Sequence, residues 1–155
     1  MRPLTTIAAL ASSVLATAAL AQTSATAFGR PGDPHNVTQT IAVNMTDRME
    51  FVPSRISVRE GETVRFVVTN SGKKKHEMVI GTLGALKEHA ALMKKHRGMK
   101  HDAPYMAHVA PGKTETLDWQ FTQPGEFHYA CLVGHHFEDG MAGQISVVAA
   151  GRAGP

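Results

Sequence analysis

Leu117-Asp118-Trp119-Gln120-Phe121-Thr122-Gln123-Pro124-Gly125-Glu126-Phe127-His128-Tyr129-Ala130-Cys131 is the stretch that sets the fold class. Leu117, Trp119 and Phe121 stand at alternate positions, a Pro-Gly pair interrupts the chain, and Phe127, Tyr129 and Cys131 resume the alternation. Period-two alternation of apolar and polar residues is the pattern of a strand with one buried face, because successive side chains point to opposite sides of a sheet. The same pattern recurs upstream in Ile41, Val43 and Met45, and downstream in Ile145 and Val147. Ile56 and Val58, the turn Glu60-Gly61, and Val64, Phe66 and Val68 up to Asn70-Ser71-Gly72 read as a hairpin. Several short strands separated by turns predict an all-β fold, an antiparallel β-sandwich or barrel.

One segment breaks the alternation. From about Gly84 to Arg97 the chain carries Ala85, Leu86, Lys87, Glu88, Ala90, Ala91, Leu92 and Met93, all strong helix formers. Gly98 stands where a helix-terminating glycine belongs and Pro104 lies beyond it, so a short helix is expected as an insertion near 84–98. There is no internal repeat and no Gly-rich phosphate loop.

The chain of 155 residues, 43% apolar and 19% charged, has the composition of one folded domain rather than of a disordered segment. Arg2 followed by the apolar, Ala- and Leu-rich stretch Leu4 to Leu20 reads as a secretory signal peptide over residues 1–21. Cleavage is expected after Ala21, with Ala25-Thr26-Ala27 as a second place to cut. Thr5, Thr6, Ser12, Ser13 and Thr17 interrupt the stretch and no charged stop follows it, which argues against a membrane anchor and against stable membrane insertion. Residues 22–37 are rich in small polar and turn-forming types and read as a flexible lead-in to a domain spanning 38–155. Loss of the leader removes only Arg2 of the 16 basic residues, against 13 acidic ones, and this small excess does not suggest nucleic-acid binding.

A lone cysteine excludes an intramolecular disulfide, and alone it reads as a small buried hydrophobe. Its surroundings change that reading. Cys131-Leu132-Val133-Gly134-His135-His136-Phe137-Glu138-Asp139-Gly140-Met141 places a thiol, two imidazoles and a thioether in one short loop. Those are soft and borderline metal ligands. Another imidazole, from outside the loop, is offered by His76, which shares strand parity with Met78 and Ile80 as Cys131 does with Phe127 and Tyr129. Two imidazoles and a thiolate with a weak thioether suit copper in a blue-copper type of site, whereas structural zinc usually takes four strong ligands.

These residues resemble those of the cupredoxins, the family of plastocyanin, azurin and pseudoazurin, across roughly residues 38–149, and the resemblance implies an antiparallel Greek-key β-sandwich of about seven or eight strands. Asp33-Pro34, Lys75-His76-Glu77, the Met- and His-bearing insert and the long loop are most similar to periplasmic cupredoxins associated with bacterial copper resistance. Relatives commonly carry Pro-Gly-His where this chain has Gly134-His135-His136; the Cys-x4-His-x4-Met spacing of such relatives selects His136, leaving His135 as a solvated neighbour. The resemblance thus implies one Cu(I)/Cu(II) ion held by His76, Cys131, His136 and Met141. It also implies one-electron transfer in the periplasm with a redox partner such as a cytochrome or an oxidase. The alternative function is copper resistance, by binding or oxidising excess copper. Paired His-x-His motifs for further coppers are absent, so an enzyme is not expected.

Other features call for a structural answer. Glu77 and Asn70 are candidates for ordering the ligands. His89, Met93, His96, Met99, His101, Met106 and His108 give the insert an unusual density of soft donors, with His89, Met93 and His96 on one helical face. Lys73-Lys74-Lys75 is either a solvated turn or a docking patch for an acidic partner.

Overall fold

The computed structural model describes residues 26–96 and 101–151. They form two five-stranded sheets packed face to face, with one helix laid on the outside. The first sheet has the order β1 (Arg30–Pro31), β8 (Thr114–Gln120), β5 (Thr63–Asn70), β2 (Gln39–Thr46), β3 (Glu50–Val52). The second runs β4 (Arg55–Arg59), β10 (Ala142–Val148), β9 (Gly125–Ala130), β6 (His76–Gly81), β7 (Met106–Val109). The alternation in the sequence becomes the inner faces. Val64, Phe66, Val68, Trp119, Phe121, Phe127 and Tyr129 are all buried in one core with Met78, Ile80 and Ile145.

The β-sandwich with a short helical insertion is therefore as expected, and two details differ. The segment 56–68 is not a hairpin. After β4 the chain crosses to the other sheet, so β4 pairs in parallel with β10, and β5 pairs in parallel with β2. Alternation reports which face of a strand is buried but not which sheet the strand joins, and a short turn serves either connection. The second difference is the lead-in. Its described part, residues 26–37, is packed rather than loose: β1 pairs with β8, and Phe28 is buried and stacked on Trp119 with ring centroids 5.3 Å apart. Trp119 Nε1 donates to the Phe28 carbonyl at 3.1 Å. Burying a phenylalanine contributes about 2–3 kcal/mol, enough to outweigh the turn-rich composition around it. Residues 1–21 and Gly98 lie outside the described residues.

The helix α1 spans Leu83–Lys95. Thr82 caps it, its hydroxyl accepting from the Ala85 N–H at 3.2 Å, and Lys94 and Lys95 sit favourably in the last turn. Leu86 and Ala90 bury its inner face against Val79, Ala130, Leu132 and Met106. This explains why β6 is buried along its whole length: Met78 and Ile80 face the sandwich core, while Val79 faces the helix. Among the described residues no helix is long and apolar enough to cross a membrane.

Candidate metal centre

β6 and β9 are antiparallel neighbours, with Val79 opposite Ala130 and Ile80 opposite Tyr129. The start of β6 therefore lies beside the end of β9, which brings His76 and Cys131 together from 55 residues apart. The connection from β9 to β10 then supplies the rest of the cluster. It is closed on itself by backbone bonds: Cys131 N–H donates to Met141 O at 3.1 Å, Met141 N–H to His136 O at 2.9 Å, and His136 N–H to Val133 O at 3.0 Å. Gly140, with φ of 96°, takes the left-handed turn that delivers Met141 to the core.

The ligand atoms of His76, Cys131 and His136 lie within 4.8 Å of one another. Cys131 Sγ is 3.8 Å from His76 Nδ1 and 3.3 Å from His136 Nδ1. Two metal–ligand bonds of about 2.0–2.3 Å opening at a trigonal angle put their donor atoms roughly 3.6 Å apart, so these spacings fit one shared ion. His76, Cys131 and Met141 are buried and His136 is half-buried, while His135 is exposed. Of the two adjacent histidines the fold brings His136 to the sulfur.

Each donor is held from behind. His76 Nε2 donates to Asp47 Oδ1 at 3.2 Å, which leaves the Nδ1 lone pair aimed at the cluster. Asp47 also accepts from the Lys73 and Lys74 N–H groups, at 2.8 and 3.1 Å, and these bonds lower its carboxyl to about 2. Asn70 is fully buried and ties the approach to His76, its Nδ2 donating to Lys74 O and Val109 O and its Oδ1 accepting from Gly72 N–H. Glu77 braces the other side. Its N–H points at Cys131 Sγ at 3.5 Å and its Oε1 accepts from Leu132 N–H at 3.1 Å. Asn70 and Glu77 thus hold backbone rather than the imidazoles of His76 or His136. Asp47, which does hold an imidazole, carried no sequence signal beyond that of an ordinary turn residue.

Burial pushes the Cys131 thiol up to about 12, although the Glu77 and Val133 N–H groups pull the other way. Burial, with the charges of His76 and Lys74 beside it, holds His136 below the ordinary imidazole range. Neutral imidazoles suit metal binding, and the sulfur becomes a thiolate when a cation takes the place of its proton.

The model of the family described as copper binding proteins, plastocyanin/azurin family, matches residues 37–148. The chain belongs to that family. This cupredoxin is also 47% identical, over 122 residues, to the copper-resistant cuproprotein CopI of Rubrivivax gelatinosus, a match covering 79% of this chain and 74% of the relative. It is 33% identical over 150 residues to the CopI protein of Pseudomonas aeruginosa, covering 78% and 82%. Among solved structures, the dithionite-reduced auracyanin of Roseiflexus castenholzii aligns with a TM-score of 0.62 at 19% identity, over 72% of this chain and 98% of that one. That likeness is one of fold. Copper is the cofactor of this cupredoxin, and the donor set of thiolate and imidazole suits it.

Proposed function

We propose that the protein is an exported, periplasmic one-electron carrier rather than an enzyme, with His76, Cys131, His136 and Met141 holding one type 1 copper. The observation that carries this reading is the convergence of one sulfur and two Nδ1 atoms from β6 and the β9–β10 loop. Copper supplies the Cu(I)/Cu(II) couple. The protein's part is to keep one geometry for both states. His76 is pinned by Asp47, Cys131 by Glu77 and the loop bonds, and Met141 by the core, so little reorganisation is needed on electron transfer. The half-buried His136 edge is the exit toward a redox partner, and the exposed Lys73, Lys74 and Lys75 beside it would favour an acidic surface on that partner.

A second reading is favoured by the names of the relatives: copper resistance, by binding or oxidising excess copper. One pair of experiments separates the two. Rapid mixing of the Cu(II) protein with reduced cytochrome c reads the carrier role, with fast, salt-sensitive oxidation expected. Exchange no faster than free copper gives, in a protein whose deletion makes cells copper-sensitive, would leave the resistance role alone.

A further inference from the structure

Glu77 lies between His76 and Met78 on β6 and so points to the opposite side of the sheet, yet its side chain is only 5% exposed. A carboxylate shut away from water is costly unless another group answers its charge. His108 is that group. β7 runs antiparallel beside β6 with His108 directly opposite Glu77, and His108 Nδ1 lies 3.0 Å from Glu77 Oε2. His108 Nε2 lies 3.0 Å from His101 O. Both partners are acceptors, so the ring satisfies both only with a proton on each nitrogen, the form that carries the positive charge a buried carboxylate needs. Among the described residues, His108 is the one basic side chain within ion-pair distance of Glu77. The other oxygen of Glu77 reaches the ligand loop: Oε1 accepts from the N–H of Leu132, next in the chain to Cys131, while the Glu77 N–H points at Cys131 Sγ. His108 therefore stands at the outer end of a link that runs from ring to carboxylate to the loop backbone and the sulfur. Behind it, the His101 ring lies 5.8 Å from that of His108 and 4.4 Å from that of His89 on α1, measured between centroids.

We propose that His108 is a positioning residue for the copper centre: it fixes and neutralises the Glu77 carboxylate, and through Glu77 it sets the reduction potential of the ion held at Cys131. The proposal rests on the type 1 reading given above. Hydrogen bonding around the cysteine sulfur and the partners behind the ligands are what tune such a site. Two consequences of losing His108 act in the same direction. An unanswered negative charge beside the thiolate favours Cu(II) over Cu(I) by simple attraction. A carboxylate freed to move also loosens its hold on Leu132, and with it the approach of the Glu77 N–H to the sulfur; weaker donation to sulfur again favours Cu(II). The potential should therefore fall. Because His108 belongs to β7 and is set opposite Glu77 by strand register, the device is built into the sheet and not into the helix. Its half-exposed ring also makes it replaceable without opening the core.

The test is a redox titration of the copper-loaded protein, followed in the visible spectrum, in wild type, His108→Leu, His108→Arg, Glu77→Gln and the double variant Glu77→Gln/His108→Leu. His108→Leu should shift the Cu(II)/Cu(I) equilibrium at least tenfold toward Cu(II), a potential lower by about 59 mV. His108→Arg, which returns a cation to Glu77, should recover at least half of that shift. With Glu77→Gln already in place, His108→Leu should move the equilibrium by less than about twofold, since no carboxylate is left to answer. A second readout needs no metal: amide hydrogen exchange at Leu132 in the metal-free protein should be at least tenfold faster in His108→Leu than in wild type, and slowed again in His108→Arg. A potential unmoved by His108→Leu, or a shift of the same size in the Glu77→Gln background, overturns the proposal, as does Leu132 exchange as slow in His108→Leu as in wild type. A wild type without a thiolate-to-copper band would sink the type 1 reading instead, and the exchange of Leu132 would then decide whether His108 positions the loop.

Discussion

The two histidine clusters of this molecule are built by opposite means. His76 and His136 stand at the end of paired strands and in a loop closed by its own backbone bonds, with Asp47, Asn70 and Glu77 behind them. His89 and His101 stand on a helix that buries only Leu86 and Ala90, and on a loop braced chiefly by His108. The first cluster inherits its precision from sheet register, so its donors are placed whether or not metal arrives. The second depends on one helix packed by a small apolar patch, so its rings are near one another but loosely tied. A rigid site suits an ion that must change charge without changing place.

The sharpest way to break this comparison is inside the ligand loop. His136→Ala should lower copper affinity about a hundredfold or more, because loss even of an outer partner costs 10–100-fold. His135→Ala, at an exposed position, should change affinity by less than about threefold. Competitive copper titration reads both, and the reverse order would move the donor to His135.

Glu77→Ala probes the bracing. It leaves the Leu132 N–H buried and unmet, which costs about 1–3 kcal/mol, and thermal melting should fall by roughly 3–12 °C. An unchanged midpoint would mean that the β9–β10 loop holds itself without Glu77.

The sign of the pH dependence follows from Cys131. Because burial pushes its thiol up to about 12, the metal-free protein is protonated there across the neutral range, and copper must displace that proton. Apparent affinity should therefore rise about tenfold per pH unit between roughly pH 7 and 9. His136 is held below the ordinary imidazole range and adds its own proton release only at more acid pH. A flat profile would mean that the sulfur is not a ligand.

The smallest expected effect belongs to the helix. Thr82→Ala removes the cap and should cost about 1 kcal/mol while leaving affinity at the Cys131 cluster unchanged. A coupled loss of copper affinity would show that the insert and the strand-built site are not separable.

Much of this was legible in the sequence, for identifiable reasons. Alternation in 64–68, 117–121 and 127–131 gave the inner faces, and the helix formers of 84–97 gave α1 to within two residues. The partition of strands between sheets was not legible. The link between β4 and β5 is as short as a hairpin turn, yet the two strands pair with partners far away in sequence. Phe28 was lost among glycine and proline neighbours, although its burial against Trp119 is decided by a residue some ninety positions away. At the site, the Cys131 to Met141 run and the parity of His76 pointed to the donors. Asp47 was silent because a polar residue's role there depends on which backbone passes it in three dimensions.

The most direct test of the central claim is the visible absorption spectrum of the protein loaded with one equivalent of Cu(II), beside that of Cys131→Ser. An intense thiolate-to-copper band in the wild type, absent from the variant, is what a copper bound by Cys131, His76 and His136 requires. A wild type with copper bound and no such band, or a band that survives in Cys131→Ser, would contradict it.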